Sequence, residues 1–263
     1  MADRVDIQIV SHRTDAEWCE YAIRSIRKYA AGFGAVTIVV PAADAARFEG
    51  LADALVLFDE RRWQGFLHHQ IMVQRADETC PHADFIVHMD SDCVFVEPVT
   101  PDEYVRHGKA VMLRERYDVI RTAYTGRFRS GAGRLRWQRA TERALGFPVE
   151  YETMVRHPSV HPRALYPELR AHIEHTHGVP FDDYVFSCGK PFGWGSRLTC
   201  PEFPILGAFA LARHPDWYAW IDALSPHEDF AMEKAPGVRE KMRQFHGPDG
   251  VSAHRDDLER LLA

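Results

Sequence analysis

Four apolar segments alternate with helix-like segments over the first hundred residues, and this alternation restricts the fold more than any other feature of the chain. "VDIQIV" (5–10), "AVTIVVP" (35–41), "DALVLFD" (53–59) and "ADFIVHMD" (83–90) have the length and apolar character of buried strands. A fifth strand is expected at 109–115. Strands that alternate with helices predict an α/β fold with a mostly parallel sheet and helices on both faces.

Helical spacing of apolar residues predicts the elements that connect these strands. One helix follows the first strand, with Thr14 or Asp15 as its cap, and two more are expected at 42–48 and 65–80. After residue 115 the predicted segments are mostly helical, at 161–178, 201–224 and 256–263. We find no repeat, low-complexity tract or linker, so the sequence predicts a single domain over 1–263 with a helix-rich C-terminal half.

Composition and charge narrow the class of protein. The net charge of −6 gives no sign of a nucleic-acid partner or of binding to a membrane through charge. The N-terminus lacks the basic start and apolar run of a signal peptide, and no stretch approaches the roughly 18 apolar residues of a membrane span. We therefore expect a cytoplasmic protein without a transmembrane segment, whose five cysteines are reduced.

The fourth strand runs into two carboxylates, Asp90 and Asp92, with Ser91 between them. Aspartates at this spacing can turn toward one ligand where a strand gives way to a loop, and carboxylate oxygens are what Mg²⁺ and Mn²⁺ prefer. The alternative is a pair of aspartates that make turn and cap hydrogen bonds. "SHRTD" (11–15) follows the first strand. Since ligands of parallel sheets bind beyond the carboxyl ends of strands, both clusters are expected at one crevice.

These features resemble the GT-A-fold (Rossmann-like) glycosyltransferases, in particular a group of small bacterial enzymes of the domain-of-unknown-function type. The resemblance rests on the Asp-x-Asp at the end of an apolar strand, on Asp15 followed by "AEWCEYAIRSI", on Gly65 and Gln70 in "GFLHHQ", and on "EFPILGAF" (202–209). It covers most of the chain and is poorest over 115–150. It implies a nucleotide-sugar-binding and metal-binding half, 1–115, and an acceptor-binding and catalytic half, 116–263.

The resemblance also implies a donor and a set of residues that bind it. The donor is a UDP- or GDP-type sugar, held through Mn²⁺ or Mg²⁺ on Asp90 and Asp92, with Asp92 the more direct ligand. A histidine near the C-terminus completes the metal site in many such enzymes, and His246 is preferred here to His254. The expected donor-binding residues are Ser11, His12, Arg13, Asp15, Gln70, Asp90 and Ser91.

An inverting transferase needs a carboxylate that takes the proton of the acceptor hydroxyl. Glu202 is preferred for chain order and for its aromatic, glycine-rich surroundings, and Glu228 with Asp229 in "PHEDF" is the alternative. Each of these acids can also be explained as a helix N-terminal residue favoured by the macrodipole. Trp194 in "FGWGS" is the expected platform for a sugar ring, although a core tryptophan near a turn explains it equally well.

The sequence thus predicts a metal-dependent glycosyltransferase of bacterial polysaccharide biosynthesis, with a glycan, lipid-linked or small-molecule acceptor. Two other functions are open. "FIVHMDSDCV" also fits a haloacid-dehalogenase-type phosphatase in which Asp90 is the nucleophile. A non-catalytic nucleotide-sugar-binding domain would keep the metal site without turnover.

Overall fold

The computed structural model describes residues 3–51, 55–59, 66–124, 129–155, 158–188, 200–223, 241–245 and 250–263. The described strands, in chain order, are β1 (Val5–Val10), β2 (Val36–Pro41), β3 (Leu55–Asp59), β4 (Phe85–His88), β5 (Cys93–Phe95), β6 (Val105–Arg106), β7 (Lys109–Arg116), β8 (Tyr151–Glu152), β9 (Ser159–Pro162), β10 (Tyr218–Asp222) and β11 (Met242–Gln244). The described helices are α1 (Ala16–Tyr29), α2 (Phe66–Val73), α3 (Ala76–Thr79), α4 (Tyr117–Tyr124), α5 (Arg129–Leu145), α6 (Leu165–His177), α7 (Phe181–Cys188), α8 (Glu202–Arg213) and α9 (Arg255–Leu262). The fold is α/β, as predicted.

The largest sheet has the strand order β3-β2-β1-β4-β9. Its first four strands are the predicted ones and run parallel, with β1 between β2 and β4. The chain moves from β1 outward to β3 and then returns to the other side of β1 as β4. Since parallel crossovers are almost always right-handed, this reversal places α1 on one face and α2 with α3 on the other. It also opens a crevice at the carboxyl ends of β1 and β4.

The expectation of a mostly parallel sheet is wrong, because the sheets are mixed. Strand β9 pairs antiparallel with β4, and the described strands form four parallel and four antiparallel pairs in all. The predicted fifth strand is β7, which lies in a second sheet between β6 and β10. A tight turn at His107 and Gly108, both with positive φ, reverses the chain between β6 and β7 and makes that pair antiparallel.

Several predicted helices are shorter or differently placed. The segment 42–48 forms a 3₁₀ helix, Ala42–Arg47. The predicted helix 65–80 is divided into α2 and α3, and the segments 161–178 and 201–224 each contain a strand beside a helix. Strands were missed there because β9 and β10 pair with partners far away in the chain, which local periodicity does not report. Within the described part of the chain, no helix is long and apolar enough to cross a membrane.

The C-terminal helix α9 is clamped to α1. Glu259 forms a bidentate ion pair with Arg24, with an N–O distance of 2.8 Å at each carboxylate oxygen. It also accepts a hydrogen bond from the Tyr21 hydroxyl at 2.7 Å. These bonds, the one from Arg24 above all, lower the pKa of Glu259 to about 2. Beneath the clamp lies a small core that includes Trp18 and Phe245. The clamp therefore fixes two aromatic side chains that also line the cavity described below.

A buried histidine in β9 makes the stability depend on pH. His161 is fully buried, its Nδ1 lies 2.9 Å from Tyr218 Oη, and burial lowers its pKa to about 3. In the unfolded chain a histidine has a pKa near 6.5. Between pH 3 and pH 6.5 the unfolded chain therefore binds a proton at His161 that the folded protein does not bind. The contribution of His161 to the free energy of unfolding is therefore fully present above about pH 6.5. It falls as the pH drops toward 3, by at most about 1.4 kcal/mol per pH unit.

We expect His161→Gln to flatten this dependence. The free energy of unfolding, measured in urea between pH 7 and pH 4, should change less steeply with pH in the variant than in the wild type. His175→Gln, at an exposed position of α6, is the matched control and should keep the wild-type slope. Equal slopes for wild type and His161→Gln would contradict the prediction.

Candidate functional site

A cavity of about 510 Å³ lies at the carboxyl ends of β1 and β4, within the size range of small-molecule sites. Residues from several distant parts of the sequence line it, namely the ends of β1 and β4, the helices α2 and α5, the start of α8 and the residue after β11. The described lining residues are Val10, Ser11, His12, Asp15, Trp18, His68, His69, Asp90, Ser91, Asp92, Trp137, Met154, Pro201, Glu202, Phe203, Pro204 and Phe245. The expectation that "SHRTD" and the Asp-x-Asp share one crevice is confirmed.

The residues after β1 supply polar groups to one wall of the cavity. Ser11 is buried, and its hydroxyl has no hydrogen-bond partner among the described residues. Asp15 is the N-cap residue of α1 but makes no capping hydrogen bond. Its Oδ2 instead lies 3.5 Å from both His12 Nδ1 and Ser91 Oγ. Asp15 therefore stands at the predicted cap position, but the capping bond is not made, and its carboxylate is directed to the cavity.

The Asp-x-Asp turn joins β4 to β5, and its tight-turn hydrogen bond is made by the backbone, from Cys93 N to Asp90 O at 3.0 Å. The Asp92 carboxylate accepts hydrogen bonds from Gln244 Nε2 at 3.1 and 3.4 Å. Strand β11 brings Gln244 there by pairing antiparallel with β5, and Phe245 N donates to Asp92 O at 2.8 Å. The C-terminal segment is thus fastened directly to this turn.

Glu202 is the first residue of α8 and is buried to 6% exposure. His69 of α2 donates from Nδ1 to Glu202 Oε1 at 2.9 Å, and its Nε2 lies 3.6 Å from Asp90 Oδ1. The imidazole therefore lies between two carboxylates that are 112 positions apart in the sequence. Phe203 packs edge-on against the ring, with centroids 6.2 Å apart, and limits its rotation.

The two carboxylates decide the charge of His69. Burial opposes a charged ring and by itself lowers the pKa, but the contacts with Asp90 and Glu202 outweigh it and raise the pKa to about 10. At neutral pH the ring carries a proton on each nitrogen. The positive charge of the His69 ring thus balances part of the negative charge of the lining. That lining includes the carboxylates of Asp15, Asp90, Asp92 and Glu202.

Close packing of α8 sets the position of Glu202. Gly207, the glycine of "EFPILGAF", faces Thr153, and a Cβ added at Gly207 would lie 2.2 Å from Thr153 Oγ1 and 2.5 Å from its Cβ. Pro204 is tolerated because it lies in the first turn, where a backbone N–H needs no helical partner. The glycine therefore lets α8 approach the chain around β8.

We expect Gly207→Ala to destabilise the protein by about 1–3 kcal/mol, since overpacking outweighs the helix-forming advantage of alanine. Gly50→Ala is the matched control, because a Cβ at Gly50 meets no atom of the described residues within 4 Å. Urea denaturation of both variants measures the difference. An unchanged midpoint for Gly207→Ala would contradict the predicted clash.

Two predicted donor-binding residues and the alternative metal ligand His254 lie away from the cavity lining. Arg13 donates its backbone N–H to Asp44 Oδ2 at 3.0 Å, and Gln70 is buried in α2 with its carbonyl bonded by Gln74. His254 packs against Trp18 and Phe245, with ring centroids 6.0 and 5.4 Å away. The other predicted residues, Trp194, His246 and Asp229, together with Gly65 and Glu228, lie outside the described residues.

Sequence reasoning missed His69, Gln244 and Trp137. His69 stands beside Gln70 in the quoted "GFLHHQ", but the helical pattern did not reveal which of the neighbouring side chains faces the cavity. Gln244 stands two positions before His246 in "QFHGPDG", and nothing in the local sequence marks it as a partner of Asp92. Trp137 of α5 lines the cavity, and its indole N–H has no hydrogen-bond partner within the described part of the chain.

The donor set of the cavity fits a hard divalent cation held jointly with a ligand. Asp90 and Asp92 offer carboxylate oxygens, and Mg²⁺ sites commonly use one or two carboxylates together with substrate phosphates. In the described ranges, no group of three or more His, Cys, Asp or Glu side chains is arranged to hold a metal ion by itself. The arrangement therefore suits a cation whose remaining ligands come from elsewhere.

Comparison with known proteins adds no assignment. The sequence matches no protein-family model, and a search of curated proteins finds no match.

Proposed function

We propose that this protein is a metal-dependent glycosyltransferase that moves a sugar from a nucleotide-diphosphate donor to an acceptor hydroxyl. The single observation that carries the proposal is the convergence of three groups on one cavity: the polar residues after β1, the Asp90 and Asp92 carboxylates after β4, and Glu202 at the start of α8. Each group matches one requirement of the reaction, namely a nucleoside site, a cation site and a base. A GT-A-like, Rossmann-related arrangement belongs to this proposal.

The donor half of the site is formed around β1 and β4. Ser11, whose hydroxyl has no partner among the described residues, and His12 and Asp15 are proposed to bind the base and ribose of a UDP- or GDP-type donor. Four carboxylates line the described cavity, so an anionic diphosphate requires cations to enter it. Asp90 and Asp92 would hold Mn²⁺ or Mg²⁺ there. Ser91, which bonds Asp15, would keep the two parts of the donor site together.

The C-terminal segment contributes to the same site. Gln244 holds the Asp92 carboxylate, and Phe245 bonds the Asp92 carbonyl. His246 follows directly in the sequence, and we propose it as the further metal ligand. His254, packed among aromatic rings, is the weaker choice. The proposed halves 1–115 and 116–263 thus meet in the cavity rather than acting separately.

Transfer requires a new bond between the acceptor oxygen and the anomeric carbon, and loss of the bond from that carbon to the diphosphate. Glu202 accepts the proton of the attacking hydroxyl, and His69 holds one oxygen of this carboxylate in place. The cation, when bound, neutralises the negative charge of the departing nucleoside diphosphate. Trp18 and Trp137 line the cavity and offer apolar faces for sugar rings.

A screen of donors tests the proposal. We would measure calorimetric binding of UDP- and GDP-sugars with Mn²⁺ and with EDTA, and then search by mass spectrometry for glycan, lipid-linked or small-molecule acceptors that gain one sugar. Metal-dependent binding of one donor, followed by a product of the expected mass, supports the proposal. Binding without turnover would favour a non-catalytic domain, and hydrolysis of phosphomonoesters would favour the phosphatase in which Asp90 is the nucleophile.

A further inference from the structure

His69 connects two groups to which the proposed function gives different tasks. Its Nδ1 lies 2.9 Å from Glu202 Oε1, and its Nε2 lies 3.6 Å from Asp90 Oδ1. Both partners line the same cavity, Glu202 from the start of α8 and Asp90 from the end of β4. The imidazole of His69 thus links Glu202, the proposed base, to Asp90 of the Asp-x-Asp turn.

The ring is held firmly enough to orient its partners. Helix α2 is anchored in the core by Ile71, Met72 and Val73, each at most 2% exposed. Phe203, the residue after Glu202, packs edge-on against the imidazole. The bond to His69 occupies one oxygen of Glu202 and restricts the rotation of the carboxylate. Two carboxylates would otherwise face each other across this gap and repel.

We propose that His69 is a positioning residue that orients the Glu202 carboxylate toward the acceptor hydroxyl. The inference rests on the proposed function, in which Glu202 is the base. A base must be held within a fraction of an ångström of its productive geometry, because small misplacements cost large factors in rate. His69 acts through Glu202 and is not itself required to touch the substrate.

Two amide substitutions separate the contacts of the ring. An asparagine side chain places its amide nitrogen near the position of Nδ1, whereas a glutamine places it near Nε2. His69→Asn should therefore keep the bond to Glu202, and His69→Gln should lose it. We expect His69→Gln to lower kcat about 10- to 100-fold, the range of one hydrogen bond to a charged group, and His69→Asn to recover most of that loss.

The donor dissociation constant of His69→Gln should stay near the wild-type value, because glutamine keeps a nitrogen near Asp90 and loses only the bond to Glu202 on the acceptor side. His82→Gln, at an exposed position outside the cavity, is the control for the substitution itself. Equal kcat for His69→Gln and wild type would overturn the inference. Equal losses in both variants, with intact folding, would also overturn it, because the loss would not depend on the bond from Nδ1.

A second measurement keeps the inference separate from the proposed function. The free energies of unfolding of His69→Gln, of Glu202→Ala, which removes the acceptor of the His69 bond, and of the double variant form a double-mutant cycle that needs no substrate. Coupling between the two sites supports the positioning contact, and additive effects overturn it. If the wild type transferred no sugar from any donor, the proposed function would fail, and the cycle would still decide whether His69 positions Glu202.

Discussion

Replacing Asp92 with asparagine is expected to abolish metal-dependent binding of the donor. The change removes one negative charge but keeps an oxygen that can accept the hydrogen bond from Gln244 Nε2. A cation–carboxylate contact worth several kcal/mol corresponds to a loss of about 100-fold or more in affinity. Isothermal titration of the donor in Mn²⁺ measures the effect. In EDTA, wild type and variant should bind equally weakly.

The matched control for this prediction is Asp256→Asn, which removes the same charge at an exposed position of α9. Asp256 lies outside the cavity lining, so donor affinity should be unchanged. Asp90→Asn should also weaken binding, but it disturbs His69 as well, and its effect therefore combines two causes. Tight Mn²⁺-dependent binding by Asp92→Asn would contradict the role given to this carboxylate.

Glu202→Gln is expected to lose turnover while it keeps the donor. Loss of a general base lowers kcat by about 10²- to 10⁴-fold, whereas an interaction absent from the ground state leaves donor affinity within about threefold of wild type. A glutamine at this position can still accept the bond from His69 Nδ1 through its amide oxygen, so α8 and the ring should stay in place. Turnover is measured as nucleoside diphosphate released from the donor identified by the screen.

Glu49→Gln is the control for this second prediction, because Glu49 is exposed and lies away from the cavity. Its kcat and donor affinity should equal those of the wild type. Unchanged kcat in Glu202→Gln would contradict the role of this residue as the base. The test would then pass to Asp229, the other carboxylate proposed from the sequence. Unchanged kcat after substitution there as well would favour a retaining enzyme, which needs no such base at either position.

The parallel part of the fold was predictable because its information is local. Each of β1 to β4 is an apolar run of strand length, and the alternation with helices gives both the direction of the strands and the edge at which ligands bind. Because both residues follow strands that end at this edge, Ser11 and Asp90 were predicted to lie close together although 79 positions separate them. This part of the site could be predicted from the general geometry of parallel sheets, without any residue-specific signal.

The remainder depends on contacts between distant segments. Strand β9 joins the main sheet as an antiparallel partner of β4, and β10 runs parallel to β7 across more than a hundred residues. Neither pairing leaves a local pattern in the sequence. His69 and Gln244 reach the site through the same kind of contact, since each is recognised only by the carboxylate that it bonds.

The central claim is that Asp90 and Asp92 hold a cation and that the cation holds the diphosphate of the donor. The most direct measurement is a crystal structure with Mn²⁺ and the nucleoside diphosphate that the screen identifies, using the anomalous signal of manganese. We predict an anomalous peak for a manganese ion that is coordinated by a carboxylate of Asp92 or Asp90 and by phosphate oxygens. The nucleoside is expected beside Ser11 and Asp15. A nucleotide bound in the cavity with no manganese at these carboxylates, or a nucleotide bound elsewhere, would contradict the claim.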